Sequence, residues 1–369
     1  MIYSCSAAQV LQCHQWGSVK KYVEPRPEAG HNQTHLQKNI ISFSRCRGEQ
    51  LLSNITVHTV DAPTTSGALT FLQEDITRPG TFLGIRGKDV IEFTNKSPVI
   101  NLTPNYRYAG ITALFQLNDS ILVVDSNANC IVHINRSDYR VTTHSGMCKV
   151  TVSAAIDGSF SEARYEYPYD LSAREGNYTH LYVLDDNSLR LINQLTKTVV
   201  TIFEGYWFLN RLGFIGNDIM ICSEGGIQLV NGTTFRDEGL IQFFFNASKT
   251  EDDNGKTIIK PYSFNSFAKI SSTHIIAYRN TFYDPVLFLE DVVIIDMDQK
   301  EVRVICGKGY ELQPFCDGNT LIPDYVTMIN GKLYVTKPVG YRKRNEVPSK
   351  TLSFISLDMQ SKLKTSYNV

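Results

Sequence analysis

The 369-residue sequence predicts an all-β fold, a six-bladed β-propeller of four-stranded antiparallel blades. Short apolar runs separated by turns fill most of the chain, and apolar and polar residues alternate within them at the period of a half-buried strand. Groups of four such runs recur six times after about residue 66, at the spacing of about fifty residues that suits propeller blades. Packing four-stranded sheets around an axis buries both faces of each sheet. An irregular all-β sandwich is the alternative.

Two units in the middle of the chain show the repeat most clearly. They run from Gly110 to Gly146 and from Asp157 to Gly205. In each unit the second run ends in an aspartate, Asp125 or Asp185, and an asparagine-bearing turn follows. We therefore expect both carboxylates at equivalent corners, where they accept hydrogen bonds from turn N–H groups.

Fainter units begin near Gly67, Leu209, Ser263 and Tyr325, and the unit from Ser263 contains an insertion between its middle strands. A strand that begins at Asn54 is predicted to complete the sheet of the last unit and so close the ring. Residues 51–369 are then the propeller. Residues 1–50 are interpreted as an N-terminal linker or as the remnant of a preceding domain.

The stretch from Gly146 to Asn193 resembles the NHL repeat. The matching residues are Gly146, Asp157-Gly158, Ala163-Arg164-Tyr165, Pro168, Tyr169-Asp170-Leu171, Leu181–Asp185 and Leu189–Ile192. The preceding unit matches less fully. The resemblance implies that residues 51–369 form an NHL-like propeller of six blades, usually a binding platform. Some relatives in the wider propeller group are enzymes, including amidating lyases and calcium-dependent lactonases.

Glycosylation acceptor motifs indicate a compartment. Nine N-x-[ST] motifs occur, more than chance favours, so we expect a secreted glycoprotein that is extracellular or in the secretory lumen. The predicted acceptors are Asn32, Asn54, Asn118, Asn135, Asn177, Asn231 and Asn246, with Asn101 and Asn95 weakened by a following proline. The first twenty residues do not resemble a secretory signal, so we expect that the true N-terminus is missing. A cytosolic protein with chance motifs is the alternative.

Charge and hydropathy exclude two classes of partner. The 36 basic and 37 acidic residues give a net charge of −1, without the positive field that nucleic-acid binding requires. No apolar run approaches the length of a membrane-spanning helix. We expect a protein partner whose identity is unknown, no nucleic acid, and no transmembrane segment.

The first strand of each unit would line the central channel, so its residues bear on catalysis. None of these strands contains His or Cys, which argues against a zinc lyase. Asp170, Asn210 and Asn265 occur near the start of three successive first strands and could offer oxygen ligands to one calcium ion. Ala68 and Thr112 stand at the matching places of the first two units, which leaves this ligand set thin. The same side chains could instead bond local backbone.

The sequence contains no P-loop, G-x-S-x-G or paired-carboxylate motif. We therefore expect a non-catalytic protein-interaction module, secreted or at the cell surface, that binds through loops on the propeller rim. The alternative is a calcium-dependent, lactonase-like hydrolase that uses the central channel, so the question of an enzyme stays open.

The eight cysteines suit an oxidising compartment. Cys130 begins one strand and Cys148 follows the end of its antiparallel neighbour, so we predict a disulfide between them. A weaker prediction joins Cys306 to Cys316. Cys222 is expected to be a buried free thiol. The pairing of Cys5, Cys13 and Cys46 is left open.

Overall fold

The structure is a computed structural model. It describes residues 18–22, 40–41, 52–61, 69–94, 97–150, 154–205, 209–223, 226–244, 249–251, 257–259, 263–280, 290–298, 301–306, 326–329, 332–336 and 351–359. Side chains are described for most of these residues. The fold is all-β and propeller-like, as the sequence predicts, with four-stranded antiparallel sheets arranged in chain order. No described helix is long and apolar enough to cross a membrane.

The first half of the chain contributes three N-terminal strands and three sheets. The N-terminal strands are β1 (Ser18–Tyr22), β2 (Ile40–Ile41) and β3 (Leu52–Asp61). Sheet 1 contains β4 (Leu69–Glu74), β5 (Thr81–Arg86), β6 (Asp89–Thr94) and β7 (Ile100–Asn101). Sheet 2 contains β8 (Ile111–Gln116), β9 (Ser120–Asp125), β10 (Cys130–Asn135) and β11 (Val141–Ser145), with a short 3-10 turn over Ser126–Ala128. Sheet 3 contains β12 (Gly158–Ser159), β13 (Pro168–Arg174), β14 (Asn177–Asp185), β15 (Ser188–Asn193) and β16 (Thr198–Glu204).

The second half of the chain repeats this plan. Sheet 4 contains β17 (Leu209–Ile215), β18 (Asp218–Ser223), β19 (Gly226–Asn231) and β20 (Asp237–Phe244), and β1 and β2 extend its outer edge. A hairpin of β21 (Lys249–Glu251) and β22 (Thr257–Ile259) follows. Sheet 5 contains β23 (Ser263–Lys269), β24 (His274–Asn280), β25 (Glu290–Asp296) and β26 (Glu301–Cys306). Sheet 6 contains β27 (Val326–Ile329), β28 (Lys332–Thr336), β29 (Thr351–Met359) and β3.

The two ends of the propeller meet in sheet 6. β3 pairs antiparallel with β29, and Leu52 lies opposite Met359. The strand that begins near Asn54 therefore completes the last sheet, as the sequence predicts. The first strands β4, β8, β13, β17, β23 and β27 contact one another in that order, and β27 contacts β4. This exchange of a strand between the chain's ends ties the last sheet to the first.

Apolar residues between neighbouring sheets form the core. Every residue of β9 is buried, and Leu83, Val123 and Val183 belong to one apolar cluster that extends through sheets 1, 2 and 3. A second cluster joins sheets 4 and 5 through residues such as Met220 and Val293. Both faces of these central sheets are thus covered by a neighbour, which explains why β9 is a continuous apolar run rather than an alternating one.

The strands leave their turns on two faces, which we name face 1 and face 2. Face 1 carries the turns between the first and second strands and between the third and fourth strands, such as 117–119, 136–140, 175–176 and 216–217. Face 2 carries the turns between the second and third strands and the ends of the connections between sheets, such as 126–129, 146–150, 163–167 and 186–187. Antiparallel pairing within each sheet enforces this division.

Contacts between sheets show that face 1 is continuous from sheet 1 to sheet 4. The backbone N–H of Ile76 donates to Gln116 Oε1 at 3.0 Å, which joins sheets 1 and 2. The rings of Phe115 and Tyr178 join sheets 2 and 3, with centroids 5.9 Å apart. Arg174 Nη2 donates to the carbonyl at position 217 at 2.6 Å, which joins sheets 3 and 4.

Candidate functional site

The first strands share a β-bulge that shapes the centre of the molecule. In sheets 1 to 5 the first strand carries one extra residue opposite the second strand. These extra residues are Thr70, Thr112, Tyr169, Asn210 and Asn265. A bulge re-aims the residues around it. The same local distortion therefore recurs at equivalent positions in the first strands of sheets 1 to 5.

Arg211 crosses this level of the channel from β17. Its Nη1 donates to the carbonyl oxygen of Thr112 at 3.2 Å and lies 3.4 Å from Asp170 Oδ1. Its guanidinium carbon lies 5.8 Å from the ring centroid of Tyr169 and 6.0 Å from that of Phe71. One guanidinium therefore contacts β4, β8 and β13, and it fills the centre between them with a paired positive charge.

Asp170 is the counter-ion of Arg211 and is buried. Its Oδ2 accepts a hydrogen bond from the backbone N–H of Leu212 at 2.8 Å, and its Oδ1 accepts one from Leu171 at 3.0 Å. Burial raises the pKa of the Asp170 carboxyl, while the charge of Arg211 opposes that rise. The carboxylate thus ties two neighbouring first strands together.

The bulges change the relation among the three residues considered for calcium. Asn210 and Asn265 are extra residues of their bulges, whereas Asp170 follows the extra residue Tyr169. Asp170 is therefore offset by one residue from the other two, and its structural equivalents are Arg211 and Ser266. The side chains of Asn210 and Asn265 lie outside the described part of the structure. Among the described residues, no group of three His, Cys, Asp or Glu side chains could hold a metal ion.

The two corner aspartates lie where the sequence predicts. Asp125 accepts hydrogen bonds from the N–H groups of Ala109 and Gly110, at 3.0 and 2.7 Å. Asp185 accepts hydrogen bonds from the N–H groups at positions 166 and 167, at 2.9 and 2.8 Å. Each carboxylate caps the chain segment that leads into the first strand of its own sheet, so both corners fix connections on face 2.

Arg190 reinforces the corner in sheet 3. It is fully buried, and it donates to Asp185 Oδ2 at 2.9 Å and to Asp157 Oδ1 at 3.0 Å. It also donates to the carbonyl oxygens of Ile156 and Arg164, each at 2.6 Å. Burial raises the pKa of Asp185 even though Arg190 opposes the rise. Because one guanidinium holds both ends of the chain segment 156–164, that segment is fixed against sheet 3.

The connection from sheet 2 to sheet 3, residues 146–167, begins and ends on face 2, and its short strand β12 pairs with β16 at the outer edge of sheet 3. A disulfide joins Cys148 in this connection to Cys130 at the start of β10. The N–H of Lys149 donates to the carbonyl of Ala128 at 2.6 Å, and the N–H of residue 186 donates to that of Tyr167 at 3.0 Å. Both ends of the connection are therefore held against face 2 turns.

Gly146 is required at the start of this connection. Its φ is +83°, a region that side-chain-bearing residues rarely adopt, and a Cβ there would lie 2.7 Å from the ring of Tyr165. The Tyr165 hydroxyl in turn lies 2.9 Å from Ser145 Oγ. This close approach packs the connection against the end of β11.

Large apolar side chains on this connection are exposed. Met147 is 44% exposed, Val150 39% and Tyr167 44%, and Ile156 on the same connection is 52% exposed. Apolar groups on a backbone held by a disulfide, a buried arginine and capped turns are typical of a surface prepared for contact. Face 1 also exposes Ile76, Ile100, Tyr178 and Leu195, but these belong to separate turns and strands.

The other predicted cysteines and glycan acceptors are described only in part. Cys222 is a buried free thiol whose pKa is raised by burial. Cys316, Asn32, Asn95 and Asn246 lie outside the described residues, so the pairing of Cys306 with Cys316 stays a prediction. Asn54 lies near the start of β3, and its side chain is not described. The described motif residues are Asn101, Asn118, Asn135, Asn177 and Asn231.

Sequence reasoning missed Arg211 and the register of the bulges. Nothing in the sequence around Arg211 distinguishes it from a surface arginine, because its partners lie on three other sheets. The five bulges carry Thr, Tyr or Asn, which share no chemical signature. A signal was available only for the Asp–Arg pair of sheet 3, where the resemblance already placed Asp185 and Arg190 in one motif.

Comparison with known proteins establishes the fold class and nothing finer. No protein-family model matches the sequence, and no curated protein matches it significantly. Among solved structures, the RRP9 WD40 repeats share 9% identity at a TM-score of 0.51 over 83% of this chain and 100% of that one. An auxiliary nutrient binding protein from Bacteroides thetaiotaomicron shares 10% identity at a TM-score of 0.51. The match covers 83% of this chain and 77% of that protein. A catalytically inactive virginiamycin B lyase from Staphylococcus aureus, solved with quinupristin, shares 7% identity at a TM-score of 0.50. The match covers 83% of this chain and 100% of the lyase.

These similarities confirm a β-propeller. They do not single out the NHL-repeat family, because the similar structures include WD40 repeats and a lyase. At such low sequence identity, these structural similarities show a shared fold and do not show a shared function.

Proposed function

We propose that this chain is a non-catalytic protein-interaction module that binds a protein partner through face 2. The observation that carries the proposal is the exposure of Met147, Val150 and Tyr167 on a connection held in place by the Cys130–Cys148 disulfide. A contact surface that is ordered before binding loses little conformational entropy when the partner arrives. Rigid sheets that present binding loops are also the usual arrangement in such modules.

The ring that supports this surface is proposed to have six blades of NHL-like type. Support comes from the cyclic contacts among the six first strands and from the strand β3 contributed to the last sheet. The NHL-like assignment rests on sheet 3, where Asp185, Arg190 and Asp157 form one hydrogen-bonded group at the residues that carry the resemblance.

A secreted or cell-surface location is part of the proposal. The disulfide supports it, because such bonds persist in oxidising compartments. The nine acceptor motifs support it further. If the chain is exported in its natural cells, peptide-N-glycosidase treatment will shift its mobility. An unshifted band from those cells would overturn the location.

The calcium-dependent hydrolase has no observation in its favour. The Asp170 carboxylate faces Arg211 and two backbone N–H groups, and the offset at the bulge separates it in register from Asn210 and Asn265. A cation at Asp170 would meet the positive charge of the guanidinium.

The binding surface is tested by charge substitution on the two faces. Met147→Glu with Val150→Glu places two carboxylates on face 2, and Leu195→Glu places one at a 75% exposed apolar position on face 1 as the control. Each chain is used to capture proteins from an extract of the source organism. We expect at least one protein that the wild-type and control chains retain and that the face 2 variant loses at least tenfold. Equal recovery of every protein by all three chains would overturn the proposal.

A further inference from the structure

We infer that face 1 carries N-linked glycans at Asn118, Asn135 and Asn177, so that sugar covers the side of the molecule opposite the proposed binding surface. This inference rests on the proposed passage through the secretory pathway. The inference goes beyond that proposal because it names the modified residues and places them on one face.

Four of the described acceptor motifs lie in turns or at strand ends on face 1. Asn118 is in the turn between β8 and β9, Asn135 ends β10 at the turn to β11, and Asn177 begins β14. Asn231 ends β19 at the corresponding turn of sheet 4. The N–H of Arg136 donates to the carbonyl of residue 119 at 3.0 Å, which places the first two acceptors side by side.

Of the two remaining acceptors, Asn54 agrees with this distribution and Asn101 does not. Asn101 pairs with Ile91 in β6, and its Nδ2 donates at 2.9 Å to Asp89, which directly follows the face 2 turn of sheet 1. β3 starts opposite the final residue of β29, so its first residues, Asn54 among them, lie toward the end of sheet 6 that belongs to face 1. The distribution therefore holds for the acceptors described in sheets 2, 3, 4 and 6, and Asn101 in sheet 1 is the exception.

The turns explain the asparagines but not the hydroxyl residues two positions later. Asn135 Oδ1 accepts the N–H of Ser137 at 2.8 Å, and Asn231 Oδ1 accepts that of Thr233 at 3.0 Å. Asn193 makes the same contact in sheet 3, at 2.9 Å, with Leu195. Ser137 Oγ also donates to Asn135 Oδ1 at 2.7 Å. Leu195 shows that the same turn forms without a hydroxyl at this position, so the turn does not require Ser137 or Thr233.

The state of the amide nitrogen separates the acceptors into two groups. Asn118 and Asn177 are exposed and Asn135 is partly exposed, and no described residue accepts a hydrogen bond from their amide nitrogens. Asn101 is partly buried, and its Nδ2 donates to Asp89 at 2.9 Å. Asn231 Nδ2 likewise donates to Glu238, at 2.8 Å. We therefore assign glycans to the first group, and we expect Asn101 to remain unmodified.

The modification requires a lipid-linked oligosaccharide pyrophosphate as the sugar donor. The amide nitrogen of asparagine forms a bond to the anomeric carbon of the donor, and the bond from that carbon to the pyrophosphate oxygen breaks. The lipid pyrophosphate leaves with the bonding electrons, and the amide gives up one proton. No oxidant or reductant takes part.

The test expresses the full chain behind a heterologous signal peptide in eukaryotic cells and measures occupancy by glycopeptide mass spectrometry. The signal peptide forces entry into the secretory pathway, so the result does not depend on the natural location or on partner binding. We expect the glycosylated peptide to predominate at Asn118, Asn135 and Asn177, and the unmodified peptide to predominate at Asn101. Predominance of the unmodified form at any of the three, or of a glycan at Asn101, would overturn the assignment.

Variants link each glycan to its site. Asn118→Gln, Asn135→Gln and Asn177→Gln should each remove one step of the mobility shift that peptide-N-glycosidase produces, whereas Asn101→Gln should remove none. Leu195→Thr completes an acceptor motif at Asn193 and should add one step, because that turn matches the turn at Asn135. If the Leu195→Thr variant folds and is secreted but shows no added step, that result would contradict the claim that these turns accept glycans.

Discussion

Face 1 and face 2 are built from the same repeats, but face 1 carries the turns within sheets and face 2 also carries the ends of the connections between sheets. Face 1 consists of short turns with asparagine caps and a charged cluster in which Arg136 Nη1 contacts both oxygens of Asp75 at 2.9 and 3.0 Å. Face 2 carries the long connections, the disulfide and the exposed side chains of Met147, Val150 and Tyr167. Each antiparallel four-stranded sheet begins and ends on face 2, so the described connections between sheets leave and enter on that side, where larger segments can be acquired.

The largest effect on stability is expected from the disulfide on face 2. Replacing both Cys130 and Cys148 by serine removes a cross-link across a sequence separation of 18 residues, which should lower the free energy of unfolding by about 3 kcal/mol. It should also weaken partner binding, because the connection from 146 to 167 loses one of its anchors. Urea unfolding followed by circular dichroism measures the first effect.

Cys222→Ser is the matched control for the disulfide variant, since it removes a buried thiol without removing a cross-link. It should leave partner binding unchanged. If the disulfide variant bound its partner as well as the wild type did, the disulfide would have no part in shaping face 2.

A smaller effect, confined to stability, is expected from Asp75→Asn on face 1. The Asp75 side chain is buried between Arg78 and Arg136, so its loss leaves two guanidinium groups without this counter-ion and should cost about 2 kcal/mol. Glu92→Gln removes the other carboxylate partner of the largely exposed Arg78 and should cost less than about 1 kcal/mol. Neither change should alter binding on face 2, and a loss of binding in either variant would contradict the division of roles.

The Asp75 variant should also change the response to acid. Burial alone would raise the pKa of Asp75, but hydrogen bonds from Thr77 and Arg78 and the charge of Arg136 outweigh burial and lower it. The unfolded chain therefore binds this proton at a higher pH than the folded chain does. The stabilisation by Asp75 is present above the ordinary aspartate pKa and is lost as the pH falls through the lowered value. In Asp75→Asn, unfolding free energy should fall less steeply over that acidic range.

The sequence predicts the sheets well because their information is local. The division into four-strand units, the closing strand β3 and the corner roles of Asp125 and Asp185 all follow from short runs and the turns beside them. The pairing of Cys130 with Cys148 follows from the ends of two adjacent strands, and the structure places the two sulfurs in a bond.

The sequence does not predict what depends on several sheets at once. The role of Arg211 requires the positions of β4, β8 and β13, and no run of residues encodes all three. Asn210 and Asn265 are the extra residues of their bulges, whereas Asp170 lies one residue past its bulge, and the sequence does not reveal this offset. The position of Asn118, Asn135 and Asn177 on one face likewise emerges only from the topology.

The most direct test places one additional glycan on each face and measures binding. Lys149→Asn, on face 2, creates an acceptor motif in the sequence, because threonine stands two residues later, and the φ of +66° at this position suits asparagine. Leu195→Thr does the same at Asn193 on face 1. With occupancy of both sites verified by mass spectrometry, the protein partner retained by the wild-type chain should bind the face 1 variant unchanged and the face 2 variant at least tenfold more weakly. Equal affinity of the two variants, or a loss confined to the face 1 variant, would contradict the account.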